Sequence, residues 1–176
     1  MRESPLHDSF AVMLTEPRPS DPTWPRYSNL PFPQYHHVPG LNPRPRGSRG
    51  PHHTMSWNPE NWRSLTPYLC GIDLYNYAYW WECHETLEQL WRSAEKTSVQ
   101  RVFLQGIIQI AAANLNRHIG KRAGSIAQAE KGLARLDVVR TEAPTYMGID
   151  LNRFVDDARR YFSGKLSSPA VITLIF

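Results

Sequence analysis

Residues 79–91 read YWWECHETLEQLW and set three chemically capable groups, His84, Glu85 and Glu88, among Trp80, Trp81 and Trp91. On a helix, residues four apart share a face. His84 and Glu88 can therefore pair with each other, present two metal ligands one turn apart, or act as a general base held by a carboxylate. Three readings are open. The first is a satisfied polar network inside a helical core, which would make the domain a binding or structural module. The second is a metal site. The third is a ligand or catalytic pocket in which His84, Glu85 and Glu88 act and Trp81 and Trp91 exclude water.

The metal reading has its own constraints. The His-Glu-x-x-Glu spacing differs from the zinc-protease helix motif in having Glu88 where that motif has a second His. Di-metal carboxylate bundles need Glu-x-x-His from two helices, whereas the next helix here offers Gln105 and Gln109. Amides are poor ligands for transition metals. No cofactor is therefore assigned, and a divalent metal on His84 and Glu88, serving a metal-assisted hydrolase, stands as the alternative.

The elements that must position these groups follow from periodicity. A short helix or turn around Trp62–Gly71 is predicted to precede a long helix from about Ile72 to Ala94. At about 100° per residue, Tyr77, Trp80, Trp81, His84, Leu87, Glu88 and Trp91 form one stripe. Glu82, Thr86 and Gln89 point the other way and mark a solvated face. A second helix, Val99 to Ile119, is apolar nearly all round and is expected to be central. Its Gln105, Gln109 and Asn116 share a narrow polar stripe. A buried amide left unpaired costs about 1–3 kcal/mol, so that stripe is expected to face His84 and Glu88 and to supply ligand-binding groups. Gly106 would permit close approach of a neighbour. A third helix is predicted over Ala123–Thr141, with Ile126, Ala129, Leu133, Leu136 and Val139 inward. A fourth follows from Asp150, a plausible N-cap, through Phe162, and AVITLIF is expected to be an extended tail packed on the bundle.

Composition divides the chain of 176 residues. Thirteen of its 15 prolines lie between Pro5 and Pro67, and proline can donate neither to a helix nor to a sheet. Residues 1–30 read as a disordered extension, 31–60 as a proline-rich arm packed on the domain, and 61–176 as the helical domain. The fold class expected is all-α: a small bundle of four to five helices with an extended N-terminal arm. The formal charge of +4 is not gathered into a patch on the helical part, which argues against nucleic acid. The two cysteines, Cys70 and Cys83, sit in apolar surroundings, as reduced thiols in a cytoplasmic protein do. The longest apolar runs are too short for a signal peptide or a membrane span. The partner expected is a small molecule or protein, and the aromatic excess admits a homodimer.

The segment from roughly residue 35 to residue 140, and Gly71–Leu136 within it most clearly, resembles the bacterial domain-of-unknown-function family 309. Leu74, Tyr75, Asn76, Tyr79, Trp81, Glu82, His84, Glu85, Glu88 and Trp91 fit the first part of its pattern, Trp/Phe-Glu-Ala-His-Glu-x-x-Glu-x-x-Trp at its centre. Phe103, Gly106, Ile107, Ile108, Ala111 and Ala112 fit the second part. YHHVPGLNPRP is similar to the family's proline-rich segment, with Arg44 standing where the family often has His. Ala78 and Cys83 replace Gly and Ala. The resemblance implies a small helical bacterial domain with no established activity and a docked arm.

If the polar group works rather than supports, it is held at some expense to the fold. His84→Leu combined with Glu88→Leu is then expected to melt no more than a few degrees below wild type by differential scanning calorimetry. A collapse of the fold would favour the structural network.

Overall fold

The computed structural model describes residues 24–45 and 56–176. The expected disorder of residues 1–23 falls outside them. The described chain is all-α in architecture. A short 3-10 helix, Pro59–Ser64, leads into α1 (Thr66–Asn76), α2 (Trp80–Ser93), α3 (Val99–His118), α4 (Arg122–Glu142) and α5 (Leu151–Phe162). A two-stranded antiparallel hairpin, β1 (Thr145–Tyr146) and β2 (Ile149–Asp150), separates α4 from α5.

The single helix expected over Ile72–Ala94 is two helices. Ala78 takes a left-handed φ of 64°. The Tyr79 amide donates to Leu74 O at 2.8 Å and the Ala78 amide to Tyr75 O at 3.2 Å. This pairing is a Schellman ending, in which the left-handed residue is usually glycine. An alanine there, itself a strong helix former, conceals the break in the sequence. The split turns α2 to a new direction and sets its N-terminus beside the segment 24–45.

The central helix is α3, as its composition demanded. It buries Phe103, Leu104, Ile107, Ile110, Ala111 and Ala113 and packs most extensively on α4, then on α2. The α3–α4 approach is set by facing glycines. A Cβ at Gly106 would lie 2.7 Å from Leu136 Cδ2, and one at Gly132 would lie 2.9 Å from Ile110 Cδ1 and 3.0 Å from Gly106 O. Leu136, Ala129 and Val139 face inward on α4 as expected, but Ile126 is 45% exposed. On α5 the Asp150 carboxylate caps the helix by accepting from the Arg153 amide, and Phe154, Val155, Ala158 and Tyr161 are buried.

The C-terminal run packs on the bundle. Ile172 exchanges two 2.8 Å hydrogen bonds with the Asn76 side chain, and Leu174 bridges to Ile149. The hairpin was not foreseen. Its strands are two residues long, too short to show an alternation, and its turn rests on positive φ at Met147 and Gly148.

Gly132→Ala tests the close α3–α4 contact. Helix propensity favours alanine by about 1 kcal/mol. The new methyl meets a backbone carbonyl that cannot step aside, and overpacking costs about 1–3 kcal/mol. A net loss of about 1–2 kcal/mol is expected in urea unfolding; a gain would show that the helices can part freely.

Candidate functional site

The site is built where segment 24–45 crosses α1 and α2. Asp73 of α1 is fully buried, and its carboxylate accepts from the Tyr27 amide (2.8 Å), the Ser28 amide (2.8 Å), Ser28 Oγ (2.7 Å) and Arg26 Nε (3.3 Å). Residues 24–30, assigned by the sequence to a disordered extension, are thus held against α1. A low-dielectric carboxylate needs such donors. Polar, proline-punctuated composition hid them because two of the four donors are backbone amides, which no side-chain pattern reveals.

Further along, the segment closes a tight turn around Asn42. The Asn42 side chain accepts from the Val38 amide and donates to His36 O. Its oxygen also lies 3.1 Å from His37 Nδ1. His36, His37 and Val38 are consequently buried. The His37 amide donates to Glu82 Oε1 at 2.8 Å, and the His37 ring stands edge-on to Trp81 at 4.4 Å. Glu82, expected on a solvated face, is buried instead, because residues 36–38 cover that side of α2. Its second oxygen, Oε2, has no hydrogen-bond partner. Burial pushes the Glu82 carboxyl up to about 7, and the His37 amide opposes that only in part.

Of the predicted stripe only Trp80 and Leu87 turn fully inward on α2, beside Cys83 and Leu90, which were not in it. Trp80, Cys83, Leu87 and Leu90 enter the core, and burial pushes the Cys83 thiol far up, which removes it as a nucleophile. Trp81, His84, Glu85, Glu88 and Trp91 form the half-buried border of that face. Side-chain exposure is 35% for His84, 20% for Glu85 and 25% for Glu88, so the group is semi-buried. His84 Nδ1 lies 3.5 Å from Glu85 Oε1 but without hydrogen-bond geometry, and it is buried with no hydrogen-bond partner. The other Glu85 oxygen pairs with Arg44, whose guanidinium lies 4.7 Å over Trp81. Glu88 pairs with Arg92 at 3.0 Å. One potential ligand atom from each of His84, Glu85 and Glu88 falls within 4.8 Å of the others.

The polar stripe of α3 goes elsewhere. Gln105 and Gln109 accept from the Arg135 guanidinium of α4 at 3.0 and 2.9 Å. Asn116 lies against Gly124 at the start of α4. The three were expected to face His84. Periodicity correctly joined them in one stripe, but it carries no information on which neighbour that stripe meets. Trp91 is likewise turned to α3, with the Arg101 guanidinium 4.0 Å over its ring and donating to its carbonyl.

A half-buried histidine and two carboxylates on one helical face, bordered by a docked extended segment, define a helical domain with a polar surface group. Residues 68–127, from α1 to the first turns of α4, match the family model described as a domain of unknown function (DUF309). No curated protein and no solved structure matches the chain. Among the described residues no helix is long and apolar enough to cross a membrane.

The Glu82 carboxyl gives a pH dependence of defined sign. Its folded value, about 7, lies above the unfolded one, so the folded state holds the proton more tightly. Stability from this group is full below the unfolded value, falls as pH rises towards 7, and is lost above it. The total for such a shift is about 3–4 kcal/mol. Glu82→Gln is expected to flatten the fall in Tm between about pH 4.5 and 7.5, and an unchanged profile would place the titrating group elsewhere.

Proposed function

We propose that the domain is a binding module and that His84, Glu85 and Glu88 are its working group, with a divalent cation as the ligand their donors suit. The convergence of one imidazole nitrogen and two carboxylate oxygens within 4.8 Å carries this reading. His84 Nδ1 supports it, since a buried nitrogen without a hydrogen-bond partner has a lone pair to offer. Zinc takes this mixture of nitrogen and carboxylate ligands. The Arg44 and Arg92 pairs compete for the carboxylates, but half-exposed ion pairs are worth only about 0–1 kcal/mol each, so a dication can displace them. Gln105, Gln109 and Asn116 have no part in this site. The metal-assisted hydrolase reading rests on the same three side chains. Three protein ligands leave a coordination position open, as catalytic zinc sites do.

Zinc titration of the full chain by isothermal calorimetry tests the proposal. Binding is expected in the wild type and should weaken at least about tenfold in His84→Ala and in Glu88→Ala. Arg44→Ala, which frees Glu85, should bind several-fold tighter. Absence of binding in both the wild type and Arg44→Ala would overturn the reading, as would binding that His84→Ala leaves unchanged.

A further inference from the structure

A concavity lies where the start of α4 meets the ends of α3 and α5, and it shares no residue with the His84 group. Its volume is about 390 Å³, and Arg117, Arg122, Ser125, Ile126 and Phe162 line it, with Gly120 and Gly164 at its turns. That volume falls within the range of about 300–1,000 Å³ typical of small-molecule sites.

The polar groups of this pocket are donors. The 21-residue helix α4 starts with no side-chain cap and no acidic residue in its first turn, so its N-terminal amides and dipole favour an anion. No carboxylate lines the pocket. The carbonyls that end α3 and α5 are already engaged by turn amides. Gly120 and Lys121 donate to Arg117 O and Asn116 O, while Gly164 and Lys165 donate to Tyr161 O and Arg160 O. Arg117 is held in place by donating to Tyr161 O at 3.1 Å and stacking 4.3 Å over the Tyr161 ring. Arg122 makes no ion pair among the described residues.

Ser125 supplies the independent observation. Only 4% of it is exposed, yet it lines the pocket, and its hydroxyl is not among the polar atoms sealed off from solvent, so what exposure it has opens to the cavity. The remaining wall is apolar, formed by half-buried Phe162 and by Ile126, whose 45% exposure is high for an isoleucine.

We propose that this pocket binds a small phosphate ester. The phosphate is held by the first turn of α4, the Arg122 guanidinium and the Ser125 hydroxyl, and an apolar or aromatic substituent lies on Ile126 and Phe162. Guanidinium groups and helix N-termini both match phosphate oxygens, and the apolar wall distinguishes an ester from the free ion.

Amide shifts of the full chain in heteronuclear NMR, with phenyl phosphate and inorganic phosphate as probes, test this. Phenyl phosphate is expected to give saturable shifts at Arg122–Ser125 and at Phe162–Ser163, and inorganic phosphate to bind at least about threefold more weakly. Arg122→Ala should weaken phenyl phosphate by about tenfold, and Ser125→Ala by a few-fold. Both variants keep the fold, because Arg122 is exposed and alanine is the better helix former. Three results would overturn the proposal: no saturable shifts at these amides, inorganic phosphate binding as tightly as the ester, or affinity that neither variant changes.

Discussion

Two buried carboxylates govern how this molecule is put together. Asp73 of α1 and Glu82 of α2 are both in the protein interior, where an ionised carboxylate without donors costs several kcal/mol. Neither finds its donors on a neighbouring helix. Asp73 takes all four from residues 26–28, and Glu82 takes the His37 amide. The segment 24–45 has no helix or strand of its own, so its backbone groups need partners as much as the carboxylates do. Tyr77 and Tyr79 complete the exchange by donating their hydroxyls to Trp24 O and Pro33 O. Helices and extended segment are therefore one unit.

The two carboxylates are not equivalent. Asp73 has both oxygens occupied, whereas Glu82 has one oxygen bonded and one left dry. Burial without full compensation raises a carboxyl pKa, and that shift appears at Glu82. The same coverage by residues 36–44 shapes the His84 group. It brings Arg44 to Glu85 and over Trp81, and it leaves His84 and Glu88 at the edge, half-covered and within reach of solvent.

Behind this surface the bundle is set by close backbone approach. Gly106 and Gly132 bring α3 and α4 together, and the proximity lets one guanidinium, that of Arg135, satisfy both Gln105 and Gln109. The amides expected to serve a site thus stabilise a helix pair. Gly71 plays the corresponding part between α1 and α2, where a Cβ would strike the Leu87 side chain.

The sequence by itself determined the helical class, the extents of α3, α4 and α5, the Asp150 cap, the central place of α3, and the close approach at Gly106. Each is local or periodic: apolar residues at helical spacing, capping chemistry, and a missing side chain speak through nearest neighbours along the chain. It also determined that His84, Glu85 and Glu88 share a face, because their spacing alone fixes that. The tertiary structure decided what each face meets. Glu82 reads as solvated from its companions Thr86 and Gln89, yet a segment more than forty residues away covers it. Gln105 and Gln109 read as partners of His84, yet a helix some thirty residues later claims them. The break at Ala78 was hidden because alanine favours helix, and only the packing of α2 against α1 and the segment 24–45 holds that residue in a left-handed turn. Local preference chooses the elements; the need to pair buried polar groups, met by residues distant in sequence, chooses which surfaces remain for function.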